Sequence, residues 1–238
     1  MSFAEQVIDN PPASWEDVFA DKYITMSIRH IFAIIEKIGN YVPYNSEIFH
    51  AFDLCPLDSV KVVILGQDPY PQILDDGRPK ACGLSFGIRQ DDTSVPHSLK
   101  LIYKELKRSF PKFVIPRHGD LSSLASQGIL WLNASLTCVR NESDSHGKLW
   151  HSFTIPVLQK LLTLNNKIVF LAFGRNAQKL LERYGIGEVP GVKILETDHP
   201  AARRKTETSL YGSGVFEKCN EELMKMGYTP IDWTSICH

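Results

Sequence analysis

Apolar and polar positions alternate along the chain in a pattern that predicts strands separated by helices. Four short apolar runs rich in β-branched residues are typical of strands buried on both faces, and they cover residues 60–65, 129–132, 167–173 and 192–197. Apolar residues recur at helical spacing in the segments around them. The helical stripes comprise Phe19, Tyr23, Met26, Ile31, Ile34 and Ile35 within residues 15–38, then Leu99, Ile102, Tyr103, Leu106 and Phe110, then Phe153, Val157, Leu158, Leu161 and Leu162, and finally residues 174–184. We therefore expect a three-layer α/β fold with a short, four-stranded, mainly parallel central sheet flanked by helices.

Polar residues follow each predicted strand at the point where it ends. They are Gly66-Gln67-Asp68-Pro69-Tyr70 after the first strand, Asn133 after the second, Gly174-Arg175 after the third and Asp198-His199-Pro200 after the fourth. Ligands of open α/β sheets bind outside the carboxyl ends of the strands. A carboxylate, an amide, a glycine turn and a histidine at one sheet edge therefore predict an active site there.

The rest of the chain indicates one domain and excludes several classes of protein. We expect residues 1–12 to form a loosely held arm and residues 13–238 to form the domain. The apolar runs are too short to span a bilayer and the N-terminus does not resemble a secretory signal, so we expect an intracellular protein, cytoplasmic or nuclear, without membrane contact. The five cysteines are odd in number and lack CxxC spacing, which favours a reducing compartment over a disulfide framework or a zinc site.

The charge of the chain gives no overall sign of nucleic-acid binding. The formal net charge is −1, whereas nucleic-acid binders usually carry a basic excess. Any DNA contact must therefore come from local groups, of which Arg203-Arg204-Lys205 is the densest basic cluster. Taken alone, such a triplet is more often a solvated surface turn.

Several motifs occur together in the order found in one enzyme family. Pro69 restricts the backbone of Asp68 and holds its carboxylate in a rigid turn, although a single Asp-Pro is usually only the start of a loop. Taken together, the motifs resemble those of family 1 uracil-DNA glycosylases over about residues 14–233. The matching segments are residues 60–70, Gly83-Leu84-Ser85-Phe86, residues 98–106, residues 118–122, residues 127–133, residues 177–179, His199-Pro200 and residues 230–233.

The resemblance implies two catalytic residues. Asp68 would orient the attacking water and stabilise the cationic sugar, since glycoside cleavage passes through an oxocarbenium-like state. His199 would support the departing uracil anion as a neutral hydrogen-bond donor. An isolated His-Pro would more often belong to a surface loop.

The resemblance also implies four residues that hold the base. Tyr70 would pack where the 5-methyl group of thymine would lie, and Phe86 would stack on the extruded uracil. Asn133 would recognise the Watson–Crick edge, because an amide donates and accepts at once and cytosine presents the opposite pattern. The backbone of Gln67 would contact the uracil 2-carbonyl.

The loops that would grip the DNA backbone are altered relative to the family. We expect contacts from Ser94, Pro96, Ser98, Gly174, Arg175, Ala201, Arg203 and Arg204, with Ser98 equally placed to act only as the N-cap of its helix. A histidine common in the family is replaced by Pro71, and the segment 72–80 is longer than usual. A phosphate-binding serine is replaced by Ala201 and a wedge leucine by Arg203. Poxvirus members have a similar His-Pro-Ala-Ala-Arg loop.

The function implied by the resemblance is hydrolysis of deoxyuridine in DNA. The products would be free uracil and an abasic site, formed without a metal or organic cofactor by a monomer acting on single- or double-stranded DNA. A DNA-mimicking inhibitor protein would also bind. Two alternatives are a DNA-binding scaffold, such as a polymerase accessory factor, and a glycosylase acting on a mismatched thymine or a damaged purine.

Overall fold

The computed structural model describes residues 1–202 and 206–237 of the chain. The helices are α1 (Phe3–Asp9), α2 (Glu16–Phe19), α3 (Lys22–Ile38), α4 (His50–Leu54), α5 (His97–Ser109), α6 (Ser122–Ala125), α7 (Gly147–Leu164), α8 (Arg175–Arg183) and α9 (Val215–Lys225). The strands are β1 (Tyr41–Val42), β2 (Val62–Gly66), β3 (Ile129–Asn133), β4 (Cys138–Val139), β5 (Val169–Phe173) and β6 (Lys193–Thr197). Single 3-10 turns cover Asn45–Glu47, Leu57–Ser59, Ile186–Glu188 and Ser235–Cys237.

A four-stranded parallel sheet forms the centre of the fold, in the order β3-β2-β5-β6. Its register places Val62 of β2 beside Ile129 of β3 and Val169 of β5. Helices flank this sheet, with α4 and α6 against β3 and α8 and α9 against β5. The predicted α/β class is therefore confirmed, and each strand lies within the apolar run that predicted it, extended by Gly66 in β2 and Asn133 in β3.

The fourth strand differs from the prediction that every strand is buried on both faces. Strands β2, β3 and β5 are buried throughout, whereas β6 exposes Lys193 and Glu196 and only half-buries Ile194 and Leu195. Strand β6 is an edge of the sheet, and charged residues on an edge discourage pairing with other chains.

The long N-terminal helical segment is broken in two. Helix α3 begins at Lys22 because the Asp21 carboxylate accepts a hydrogen bond from the Tyr23 N–H, and it ends at Gly39 as expected. The predicted apolar stripe was wrong at Tyr23 and Met26, which are 74% and 54% exposed. The buried face of α3 consists of Ile24, Ile28, Ile31, Phe32 and Ile35.

The first residues form a helix where the sequence predicts a loosely held arm. Ala4 and Val7 of α1 are buried, and the Phe3 ring meets the Phe32 ring of α3 edge-on at 5.0 Å. The Arg29 guanidinium also pairs with the Glu5 carboxylate. A single apolar face on a short helix is too weak a pattern to reveal this docking, because isolated helices of this length are marginal in water.

The described part of the chain shows no disulfide bond, no metal-binding cluster and no membrane-spanning helix. Cys55, Cys82, Cys138 and Cys219 are buried, and none of them forms a disulfide bond. Within residues 1–202 and 206–237, no group of three or more histidine, cysteine, aspartate or glutamate side chains is placed to hold a metal ion. Over the same ranges, no helix has both the length and the apolar character needed to cross a bilayer.

Candidate active site

The predicted polar residues meet at the carboxyl edge of the sheet, around the crevice between β2 and β5. Strand β3, which follows β2 in the chain, lies on one side of the β2–β5 pair, and β6, which follows β5, lies on the other side. The chain connections therefore leave this central pair in opposite directions. Such a switch point leaves an open crevice above the strand ends. Gln67 and Asp68 follow β2 there, and Gly174 follows β5.

Gly66 and Asn133 are paired across the ends of β2 and β3. A Cβ atom on Gly66 would lie 2.4 Å from the Asn133 Oδ1, so only glycine leaves room for the amide. The Asn133 residue is 4% exposed, and no described residue hydrogen-bonds its side-chain amide. A buried amide without protein partners has an unmet donor and acceptor, which a ligand with a complementary edge would satisfy.

The turn after β2 is held from both sides while one backbone donor stays open. The Gln67 carbonyl accepts from the Ser135 N–H at 2.9 Å, and its side-chain oxygen accepts from the Asn176 amide of α8 at 2.6 Å. The Gln67 backbone N–H has no acceptor within the described ranges. This N–H is available to a ligand carbonyl in the crevice.

The Asp68 carboxylate is half-buried and tied to one loop. Its Oδ2 accepts a hydrogen bond of 2.6 Å from the backbone N–H of Asp144. Burial raises the pKa of Asp68 above its ordinary value, the hydrogen bond opposes this rise, and the nearby Asp144 charge adds to it. Asp68 is thus a positioned carboxylate whose ionised form gains little from neighbouring groups, so it favours a positive charge forming beside it.

Tyr70, Ser98 and Phe86 form one hydrogen-bonded unit. The Tyr70 hydroxyl donates to the Phe86 carbonyl at 3.1 Å, so the Ser98 hydroxyl, 2.8 Å away, donates to Tyr70. Burial raises the pKa of Tyr70 and keeps the phenol neutral. The N-cap role considered for Ser98 is wrong, since α5 begins at His97 after Pro96 and has no side-chain cap. Ser98 instead fixes the Tyr70 ring.

The Phe86 ring is positioned by an unusual backbone conformation. Its φ is +62°, in the left-handed region that a non-glycine residue adopts at a cost of about 1–3 kcal/mol. The ring meets Phe173 edge-on at 5.8 Å and lies 6.0 Å from the His199 ring. Backbone strain of this kind persists where the surrounding structure holds a side chain in place for a purpose other than stability.

His199 is oriented as a neutral donor. The Ala201 N–H donates to its Nδ1 at 3.2 Å, so that nitrogen carries a lone pair and the proton of a neutral ring resides on Nε2. The ring keeps an exposed edge, but the surrounding protein excludes enough water to lower the pKa of His199. Gly174, at φ +94°, allows the close approach, since a Cβ there would lie 2.9 Å from the His199 Cβ.

The residues expected to contact the DNA backbone differ in where they lie relative to the mouth of the site. Tyr70, Ser94, Pro96, Ser98, His199 and Ala201 border one cleft of about 620 Å³. The Ser94 hydroxyl is already engaged, because it donates to Asp92 and accepts from the Lys80 ammonium, both at 2.5 Å. Gly174 precedes α8, and Arg175 is exposed as its first residue. Arg203 and Arg204 lie outside the described residues.

Three residues of the site escaped the sequence analysis. Lys80 brings a cation to the cleft mouth, Asp144 donates to Asp68, and Asn176 holds Gln67. Asp144 and Asp68 are 76 positions apart in the sequence, and Asn176 and Gln67 are 109 positions apart, so no local pattern signals either contact. For Lys80, the longer segment 72–80 was the available signal, since its backbone pairs Ile73 with Pro79 and returns the lysine to the cleft.

Comparisons with known proteins agree with this geometry. Residues 52–224 match the family described as the Uracil DNA glycosylase superfamily. The chain is 38% identical to the uracil-DNA glycosylase of Deinococcus deserti, over 93% of this chain and 87% of that protein. It is 39% identical to that of Aeromonas salmonicida, over 94% and 99%.

Solved structures show the same relation in three dimensions. The crystal structure of mimivirus uracil-DNA glycosylase superposes with a TM-score of 0.81 at 31% identity, covering 97% of this chain and 88% of that one. A mimivirus UNG variant in complex with UGI superposes with a TM-score of 0.83 at 30% identity, covering 97% and 90%. Sequence, fold and site therefore agree, and the chain belongs to the uracil-DNA glycosylase superfamily.

Proposed function

We propose that this protein hydrolyses the N-glycosidic bond of deoxyuridine in DNA, which releases uracil, leaves an abasic site and starts base-excision repair. The observation that carries the proposal is the pairing of a half-buried carboxylate, Asp68, with a neutral Nε2–H donor, His199, at one crevice. The motifs and their order favour family 1 within the superfamily, with a His-Pro-Ala-Ala-Arg loop like that of poxvirus members.

The two groups act on opposite charges of the breaking bond. As the bond between sugar C1′ and uracil N1 breaks, its electron pair passes to uracil, and Asp68 stabilises the sugar cation. The His199 Nε2–H donates a hydrogen bond to the uracil O2, where negative charge develops. A water molecule then bonds to C1′ and gives its proton to Asp68, and the released uracil anion takes up a proton. No metal or organic cofactor enters these steps.

Base recognition follows from the unmet groups of the crevice. The Asn133 amide would accept from the uracil N3–H and donate to O4, while the Gln67 N–H would donate to O2. Phe86 would stack on the base, and Tyr70 would exclude a 5-methyl group. Sites built for specific hydrogen bonds reject mismatched analogues by about 10⁴-fold or more.

The DNA around the target base would be held at the mouth of the cleft. We expect a monomer that acts on single- and double-stranded DNA, with an extruded uracil. Ser94, Pro96, Gly174 and Ala201 would line the path of the DNA backbone, although the donors they carry are engaged within the protein. Arg175, exposed at the start of α8, would donate to a phosphate, with Ser98 acting through Tyr70. Arg203 would replace the wedge leucine, with Arg204 beside it. We also expect an inhibitor protein that mimics DNA to bind, and the mimivirus UNG variant solved in complex with UGI supports this.

Base release from defined oligonucleotides tests the proposal. Single strands containing one uracil, and duplexes with U:A, U:G, T:G and hypoxanthine:T pairs, are incubated with the protein, and the free base is measured by chromatography. We expect uracil from every uracil substrate and no thymine or hypoxanthine. Release of thymine or hypoxanthine would support the alternative glycosylases, and DNA binding without release of any base would support the scaffold.

Tyr70→Ala is expected to admit thymine. Removal of the ring opens space for one methyl group, which hydrophobic pockets discriminate by about 10–200-fold, so the preference for uracil over thymine should fall by a comparable factor. Tyr70→Phe is the matched control, because it keeps the ring and removes only the hydroxyl that joins Ser98 to Phe86. If thymine stays excluded in the alanine variant, Tyr70 is not the steric gate.

The pH profile of uracil release is expected to depend on Asp144. Activity requires ionised Asp68. Burial raises the pKa of Asp68, the hydrogen bond from the Asp144 N–H opposes this rise, and the Asp144 charge adds to it, so protonation in acid should stop release at a higher pH than for an ordinary aspartate. Asp144→Asn removes the neighbouring charge but keeps the backbone donor, and asparagine tolerates the φ of +60° at this position. The acid limb of the single-turnover rate should therefore move to lower pH. An unmoved limb would show that another group controls it.

A further inference from the structure

A second groove begins where the candidate active-site cleft ends. His97, the first residue of α5, borders both the cleft and this groove of about 510 Å³. The groove runs along α5 toward the loop that carries Ile115 and Arg117. Its cations are Lys100, Lys104 and Arg117, and no carboxylate of the described ranges lines it.

The charges of this groove are not neutralised by the protein. No described acidic side chain pairs with Lys100, Lys104 or Arg117, whereas Lys80 and Arg108 nearby are both paired. Lys100 and Lys104 are four residues apart, on one face of α5, where like charges repel and destabilise a helix. Fold stability therefore does not explain this arrangement, and an anionic ligand along α5 would.

The groove continues past Lys104 with an aromatic residue. Lys104 and Ile115 also border the adjoining depression, together with Lys107 and Tyr211. Tyr211 is 57% exposed and Ile115 is 48% exposed. Grooves that combine backbone-tracking cations with exposed aromatic side chains are typical of single-stranded nucleic-acid binding.

A buried carboxylate holds the two sides of this surface together. Glu105 of α5 is fully buried and accepts hydrogen bonds from the backbone N–H groups of Gly212 and Gly214, at 2.7 and 2.9 Å. The loop that carries Tyr211 is therefore fixed against the helix that carries the lysines. A preformed surface of this kind loses little conformational entropy when it binds a ligand.

We propose that a DNA strand leaving the active site runs along α5, with its phosphates on Lys100, Lys104 and Arg117 and a base against Tyr211. We name the face formed by these four residues the α5 track. The inference rests on the proposed function, since it takes the occupant of the cleft to be DNA. Charge complementarity and the shared border at His97 select a DNA strand as the ligand. The track supplies local positive charge in a chain whose formal net charge is −1.

The length dependence of uracil release tests the track. Single strands of about 5 and about 20 nucleotides bracket the ~4–16 nucleotides that comparable binding grooves cover. Uracil is placed centrally, near the 5′ end or near the 3′ end. For the wild type, KM should fall as the strand becomes longer. The fall should occur only when the strand is extended on one side of the uracil, either the 5′ side or the 3′ side. For the double variant Lys100→Gln and Lys104→Gln, KM on the long strand should rise about tenfold near 0.1 M salt. The slope of log KM against the logarithm of the salt concentration should be smaller by about 1.4, because two phosphate contacts are lost.

A matched variant and the short strand keep the test specific. Lys167→Gln with Lys193→Gln removes the same charge at the amino ends of β5 and β6, away from the site, and should behave as the wild type. The short strand should give the same kcat and KM in all three proteins. Equal losses on short and long strands, or an unchanged length dependence and salt slope, would overturn the track. If no protein releases uracil, the proposed function fails, and anisotropy with a long undamaged strand decides the track by the same comparison.

Discussion

Replacing Asp68 by asparagine is expected to reduce kcat for uracil release by about 10²–10⁴-fold while DNA binding is retained. Asparagine keeps the shape of the side chain and an oxygen for the Asp144 N–H, which donates to Asp68 at 2.6 Å. It removes the negative charge that would stabilise the sugar cation and the base that would take the proton of water. Single-turnover rates and anisotropy with a uracil-containing strand measure the two effects separately.

The same variant should not be less stable than the wild type at neutral pH. Burial raises the pKa of Asp68 in the folded protein, so the ionised carboxylate opposes folding above that pKa and a neutral amide does not. Asp75→Asn is the matched control, since Asp75 is an exposed carboxylate at the mouth of the cleft. We expect it to keep wild-type turnover. Turnover of Asp68→Asn within a few-fold of wild type would remove Asp68 from the mechanism.

Asn133→Asp is expected to reduce the preference for uracil over cytosine by about 10²-fold or more from a starting ratio of about 10⁴. At a position only 4% exposed, burial favours the neutral carboxyl group. A protonated carboxyl can donate to the cytosine N3 and accept from its exocyclic amine, and it meets the uracil N3–H poorly. Cytosine release from C:G duplexes and cytosine-containing single strands measures the gain.

Asn133→Ala separates a new specificity from a simple loss of the amide. Alanine offers no hydrogen bond to either base, so it should slow uracil release without any gain of cytosine release. Both variants fit beside Gly66, because neither adds volume at the point where the amide oxygen approaches that glycine. Cytosine release by both variants, or by neither, would show that the amide does not determine the choice of base.

The parts of the site that follow strand ends were predictable from the sequence. Apolar runs define the strands, and parallel strands bring their carboxyl ends to one edge, so the order of residues along the chain is enough to place Asp68, Asn133 and His199 together. Their orientation was not predictable. The Nδ1 of His199 accepts from the Ala201 backbone, and this bond does not depend on the side chain that replaces the family serine.

Local patterns failed where distant segments decide the outcome. Tyr23 and Met26 fit a helical stripe but face solvent, since α3 turns a neighbouring row of isoleucines toward the core. The two-residue strands β1 and β4 pair antiparallel and are too short to show alternation. Ser98 has the sequence context of an N-cap, yet a hydrogen bond to Tyr70, 28 residues away, determines its role.

The backbone of Phe86 limits how this position can evolve. Glycine adopts the left-handed conformation at φ +62° without the penalty that phenylalanine has, about 1–3 kcal/mol. Removal of the buried ring beside Phe173 and His199 would, however, leave a cavity that costs about 3–5 kcal/mol. Phe86→Gly should therefore lower stability and activity together, and libraries screened for thermal tolerance alone should still retain the aromatic ring.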